Sequence, residues 1–277
     1  MIELEMRGVA LGYSKHPVLS DITFKASPGE LVGLIGPNGS GKSTIIRALS
    51  RLLRPTAGEI LVGGKDITVI PRRELACLVG VVPQLPLLPS SFTAFEIVLM
   101  GRNPHLKMFQ SESRQDWELV QEAMERTGTG ELANRYINEL SGGEIQSLLI
   151  ARVLVQQTSA ILLDEPTANL DIGRQGEVLD LLKNLCREKS LTVLAALHDL
   201  NLAAQYCDRL ILIHRGRIHT QGTPEEVITD ANIKQVYGAE NCVYPHPANG
   251  LPAVLLRANR NNAARNGGVS GRGDKRI

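Results

Sequence analysis

The run Gly36-Pro37-Asn38-Gly39-Ser40-Gly41-Lys42-Ser43-Thr44 carries the densest chemistry in this chain. A glycine, four residues, then Gly-Lys-Ser is the spacing of a loop that wraps phosphates. Glycines let consecutive amides turn inward, the helix that follows adds partial positive charge, and Lys42 supplies an ammonium. The Ser43 hydroxyl offers a hard oxygen ligand for a divalent cation. A second group lies far along the chain, where Asp164 and Glu165 end the apolar run Ala160-Ile161-Leu162-Leu163. To cleave a phosphoanhydride, a phosphate loop still lacks a metal-binding aspartate and a base for water, and these two carboxylates fill those roles. His198 ends another apolar stretch, and Ser141-Gly142-Gly143 opens a helical segment as a second anion-ready terminus. Taken alone, the histidine reads equally as a surface residue and the Ser-Gly-Gly as an ordinary helix cap.

These groups need a scaffold that delivers them to one place. The apolar residues 32–35 predict a buried strand entering the loop, and 45–53 predict a helix leaving it. Residues 2–10 and 18–24 read as strands, with Tyr13 between them, and Ser27-Pro28-Gly29-Glu30 reads as a turn. Further strands are predicted at 59–62, ending in a tight turn at Gly63-Gly64, and at 78–82, ending at Pro83-Gln84, with a short helical stretch from Pro71. From Leu85 to about Val155 the texture turns helical, at 93–100, 114–127 and 144–155, with Asn103-Pro104-His105 as an interruption. Strands at 160–164 and 191–197 follow, then a hairpin over 209–221 and a helix from Pro224 capped by Thr223. Fully apolar short strands are those of a parallel sheet covered on both faces, and ligands of such sheets gather at the carboxyl edge.

The formal net charge of +1 creates no general field for nucleic acid, and no apolar run reaches the length of a membrane span. Cys77, Cys186, Cys207 and Cys242 are scattered without a metal-binding or disulfide spacing, which suits a reducing compartment. His214, His219 and His246 lack partners for a metal site. From about residue 258 the chain is rich in Asn, Arg and Gly, and is expected to be disordered.

In order, GPNGSGKST, Gln84 in VVPQ, LSGGE at 140–144, ILLDEPTANLD at 161–171 and His198 in LHDL resemble the ATP-binding-cassette (ABC) ATPases. The resemblance runs over about residues 2–240. It implies an α/β phosphate-loop ATPase core with a mixed central sheet, an antiparallel β subdomain and a helical subdomain inserted at about 87–157. Residues 241–277 would be a C-terminal extension. It also implies roles: Tyr13 on adenine; Asn38, Gly39, Gly41, Lys42, Ser43 and Thr44 on the phosphates; Ser43, Gln84 and Asp164 at Mg²⁺; Glu165 as general base; and His198 at the γ-phosphate. Ser141, Gly142 and Gly143 would cover the ATP of an opposite subunit, and Asp171 would link the two sites. A homodimer enclosing two ATP molecules follows from that pattern. Glu144 stands where the family usually has glutamine, and is expected to be tolerated. Ser147 stands where many members have arginine, and Ala168-Asn169 replaces the common Ser-Ala.

Met100-Gly101-Arg102-Asn103-Pro104-His105, LSGGE, the LHDLNLA run at 197–203 and HPANGLP at 246–252 are similar to importers of iron chelates, haem and cobalamin. That narrower likeness implies two integral-membrane permease subunits, an external solute-binding protein and a place on the cytoplasmic face of the membrane, with no nucleic-acid partner. The competing class is a soluble cassette ATPase in translation, DNA repair or iron–sulfur assembly. The second cassette, zinc module or long coiled coil of translation and repair types is not visible in the sequence.

Overall fold

The computed structural model describes residues 1–13, 16–84, 86–108, 110–168, 170–238 and 241–256. The disorder expected from residue 258 lies outside the described residues, as does Asn169. Strands β1 (Leu4–Tyr13) and β2 (His16–Ala26) pair antiparallel and precede β3 (Leu31–Ile35) and helix α1 (Lys42–Leu49). Next come β4 (Ala57–Val62), β5 (Lys65–Asp66), α2 (Arg72–Leu78) and β6 (Val79–Val82). Helices α3 (Ala94–Leu99), α4 (Arg114–Arg126) and α5 (Gly142–Val155) follow. The chain returns through β7 (Ala160–Asp164), α6 (Ile172–Lys189), β8 (Thr192–Ala196), α7 (Leu200–Tyr206) and the hairpin β9 (Arg209–His214) and β10 (Arg217–Gly222). It closes with α8 (Pro224–Val227), α9 (Asp230–Tyr237) and a second hairpin, β11 (Asn241–Pro245) and β12 (Pro252–Leu256).

The central sheet has the order β10-β9-β3-β8-β7-β6. It is parallel from β9 to β6 and antiparallel only at the β9/β10 edge. Strands β3, β7 and β8 are buried at every position, which is why they read as unbroken apolar runs. Their side chains divide by parity between two cores. Leu31, Ile35, Ile161, Leu163, Val193 and Ala195 pack with α5, α6 and α7, while Val32, Leu34, Ala160, Leu162, Leu194 and Ala196 pack toward α1. The antiparallel sheet β2-β1-β4-β5 closes the second core through Leu4, Met6, Leu11, Ile22 and Ile60, so α1 is clamped between two sheets. Each such fully buried Leu or Ile is worth roughly 1.5–3 kcal/mol, which makes α1 a rigid base for the loop that precedes it.

Helices α3, α4 and α5 share a third core built on Ile97, Val98, Val120, Met124, Leu148 and Ala151. Ser and Thr start these helices by chemistry visible in the sequence. Thr93 with Glu96, Ser113 with Asp116 and Ser141 with Glu144 form reciprocal capping boxes. Residues Met100–His105 form a 3-10 helix containing Pro104, so the proline that reads as an interruption tightens the turn without ending it. Arg102 lies at its centre. Its guanidinium donates to Asp116 at 2.7 Å and to the Val155 carbonyl at 3.0 Å, and the ion pair is nearly sealed from water. Arg73 of α2 donates to the Pro104 carbonyl, which binds the same segment to the central sheet's side.

Candidate active site

Four neighbouring parallel strands end at one edge, and each delivers a residue there. Strand β3 runs into the loop 36–41, β8 into His198, β7 into Asp164 and Glu165, and β6 into Gln84. Gly36 (φ 149°) and Gly41 (φ 109°) adopt backbone conformations that a side chain resists. A Cβ at Gly36 would lie 2.3 Å from the Ile213 carbonyl oxygen, and one at Gly41 would lie 2.5 Å from a Leu19 methyl. The loop therefore hugs both sheets. Helix α1 begins at Lys42, earlier than the periodicity suggests, which brings the amides of Lys42, Ser43 and Thr44 into its donor-bearing first turn.

Lys42 is 5% exposed, and its ammonium donates to the carbonyls of Gly36 (2.7 Å) and Pro37 (3.2 Å). Burial lowers its pKa, and the charges of Glu165 and Asp164 oppose that shift. Ser43 donates to Asp164 Oδ1 at 2.8 Å, joining α1 to the end of β7. Burial raises the Asp164 carboxyl pKa, with a further push from Glu165, against the Ser43 hydrogen bond, Arg47 and Lys42. The Ser40 hydroxyl is buried and, among the described residues, has no hydrogen-bond partner. A converging hydroxyl and carboxylate, a desolvated ammonium and an orphaned hydroxyl suit a polyanion with a hard divalent cation.

Glu165 has φ 56°, a left-handed conformation that costs a non-glycine residue energy. Its amide is held by the Ala196 carbonyl at 3.1 Å. The turn aims the carboxylate over the loop, where Gln84 Nε2 donates to one oxygen and His198 Nε2 bonds the other. A carboxylate only accepts, so the His198 proton sits on Nε2. Loop residues 38–44, Gln84, Glu165 and His198 line one open cleft of about 480 Å³, joined by Val18 of β2. No sequence motif marked Val18. It is found only because β2 folds over the loop. Tyr13 does not line that cleft; its hydroxyl accepts from Arg47 of α1 at 3.0 Å and its ring is exposed.

Ser141, Gly142, Gly143 and Asp171 do not join that cleft. They line another of about 570 Å³ with Glu144, Leu170 and Arg174. Asp171 caps α6, accepting from the Arg174 amide at 2.9 Å. The two clefts share no residue. Ser147 is buried and lines a pocket of about 180 Å³ with Arg126, Arg174 and Glu177.

Phosphate-wrapping loops occur on many folds. The mixed sheet, the second β layer over the loop and the inserted helices narrow this one to the α/β nucleotide-binding ATPases. The family model described as ABC transporter matches residues 19–168, and the chain belongs to that family. The ferric enterobactin transport ATP-binding protein FepC of Escherichia coli is 40% identical over 247 residues, covering 89% of this chain and 91% of that one. A cobalamin import ATP-binding protein, BtuD of Halobacterium salinarum, is 39% identical over 261 residues; the match covers 94% of this chain and 65% of the relative's length. A solved metal-chelate type ABC transporter in an inward-facing conformation aligns with TM-score 0.81 at 26% identity, over 94% of this chain and 99% of that one.

Proposed function

We propose that this chain is the ATP-hydrolysing subunit of an importer for metal chelates, such as an iron–siderophore, haem or cobalamin. One observation carries the catalytic part: the Glu165 carboxylate is held between Gln84 and His198 above a phosphate loop. Loop amides, Lys42 and Thr44 bind the triphosphate, with Asn38, Gly39 and Gly41 shaping the wrap and Tyr13 against the adenine. Asp164, Ser43 and Gln84 hold Mg²⁺, whose charge neutralises the phosphate oxygens when bound. Glu165 takes a proton from the water that attacks the γ-phosphorus, and the bond to the β-phosphate oxygen breaks as the new P–O bond forms. His198 orients the carboxylate and faces the γ-phosphate.

A single copy holds Ser141–Gly143 and Asp171 in a cleft apart from Lys42. Two copies set head to tail bring each Ser141 terminus onto the other's triphosphate, exclude water and turn binding into motion of permease subunits. The division into a cassette at 1–240, a helical subdomain at about 87–157 and an extension at 241–277 belongs to this reading. So do two permease subunits, an external solute-binding protein and a place at the cytoplasmic face. Among the described residues no helix is long and apolar enough to cross a membrane, which fits a subunit that rests on its permeases. The test is ATP-driven accumulation of radiolabelled ferric siderophore, haemin and cobalamin in vesicles that co-express the chain with its permeases. Accumulation lost in the Glu165→Gln variant is expected; equal accumulation with that variant, or none for any chelate, overturns the reading.

A further inference from the structure

We propose that Glu144 is a brake on nucleotide-driven pairing of two copies, and that Arg174, alongside Arg135, is a counter-charge that moderates it. The proposal rests on the head-to-tail reading above. The Ser141 hydroxyl donates to Glu144 Oε2 at 2.7 Å, and the Ser141 amide donates to the same oxygen at 2.7 Å. In return the Glu144 amide reaches Ser141 Oγ at 3.3 Å. A hydroxyl has one proton. Committed to the carboxylate, Ser141 shows only lone pairs to the cleft, and a phosphate oxygen is likewise an acceptor. The Gly142 and Gly143 amides, in the first turn of α5, are the donors that remain.

Pairing therefore requires the Ser141 proton to leave a charge-assisted hydrogen bond and turn to the phosphate. It also requires an anion to approach a standing carboxylate. A neutral glutamine could accept the same two bonds through its carbonyl, release the hydroxyl at lower cost and add no repulsion. The charges around this terminus make the penalty tunable. Asp171, capping α6, adds a second negative group to the cleft wall. Arg174, half-buried on α6, lines the same cleft, and Arg135 acts from the segment before α5. The Ser141 hydroxyl and amide hold the Glu144 carboxyl below its ordinary pKa, with help from Arg135 and Arg174, so the group is ionised at neutral pH. The exchange of glutamine for glutamate therefore changes the charge at the closing face and preserves the helix cap.

The experiment uses the full chain carrying Glu165→Gln, so that hydrolysis does not deplete the complex. Pairing is followed by sedimentation velocity during a titration with ATP and Mg²⁺. Adding Glu144→Gln is expected to lower the ATP concentration at half pairing by about three- to tenfold, the scale of one partly solvated charge contact. Adding Arg174→Gln is expected to raise it about threefold when Glu144 is present, and by less in the Glu144→Gln background. Thermal midpoints of the nucleotide-free proteins report the cap separately, and should stay together for Glu144 and its glutamine variant. A Glu144→Gln titration that coincides with its parent or moves to higher ATP refutes the brake, as does an equal Arg174→Gln shift in both backgrounds. If neither the parent nor its Glu144→Gln variant pairs at saturating ATP and Mg²⁺, the head-to-tail reading is refuted and the brake falls with it.

Discussion

Replacing Glu165 by glutamine removes a proton acceptor while leaving nearly every contact of the side chain in place. The carboxylate is bonded on one oxygen by the Gln84 amide and on the other by His198, and its side chain is 13% exposed. A glutamine has one carbonyl and one amino group to offer the same two neighbours. With the carbonyl turned to Gln84, the amino group meets His198, which must then carry its proton on Nδ1 so that Nε2 accepts. That tautomer exchange is available to a partly exposed imidazole, so the pocket survives the change. What is lost is the base. General-base catalysis contributes about 10²–10⁴-fold, so kcat should fall by that factor, equivalent to roughly 3–5 kcal/mol of barrier. ATP affinity should stay within about threefold of the parent, because Lys42 and the loop amides are untouched. Single-turnover hydrolysis with γ-labelled ATP measures the chemistry, and calorimetric titration measures binding. Turnover within about tenfold of the parent would remove Glu165 from the base role. A parallel collapse of binding would show that the residue supports the loop instead.

Lys42→Ala should weaken ATP binding by at least about tenfold, since a desolvated ammonium facing phosphates is lost. The nucleotide-free protein should keep its melting temperature, because burial already lowers the Lys42 pKa and the charge is costly there; calorimetry and a thermal melt read the two effects apart. Arg102→Ala should destabilise the fold by about 3 kcal/mol, because Asp116 is left buried without its guanidinium, and a urea titration measures it. Acid should act on the same ion pair. Burial alone would raise the Asp116 carboxyl, but the Ser113 amide and hydroxyl and Arg102 outweigh it and hold the pKa at about 2. A depressed carboxyl stabilises the fold above its unfolded pKa. About 2 kcal/mol should therefore be lost as pH falls from about 4 toward 2, and the loss should shrink in an Asp116→Asn variant.

Much of the site was legible because its chemistry lies at strand ends. Fully apolar strands of five residues, each followed by Gly-Lys-Ser, Asp-Glu or a histidine, announce a carboxyl edge before any contact is known. Helix starts were legible for a similar local reason, since Ser141, Thr93 and Thr223 each bond an acidic residue three positions on. Helix α6 went unread although its buried residues Val178, Leu179, Leu182, Leu185 and Cys186 repeat at helical spacing. Charged residues between them and the preceding acidic motif masked the period. The hairpin β11–β12 gave no such signal. It is held from outside, with the Asn201 side chain bonding both the amide and the carbonyl of Val254, a partner 53 residues away.

The chain by itself determined which residues can wrap a phosphate, accept a proton and ligate a cation, because residue type and short spacing dictate those capacities. It also determined that two anion-ready helix starts exist but only one set of carboxylates to use them. Tertiary structure alone decided that Ser141 and Asp171 share a cleft apart from Lys42, and that Val18 closes over the loop. Those outcomes depend on how sheets and helices pack across tens of residues, which no short spacing in the chain encodes.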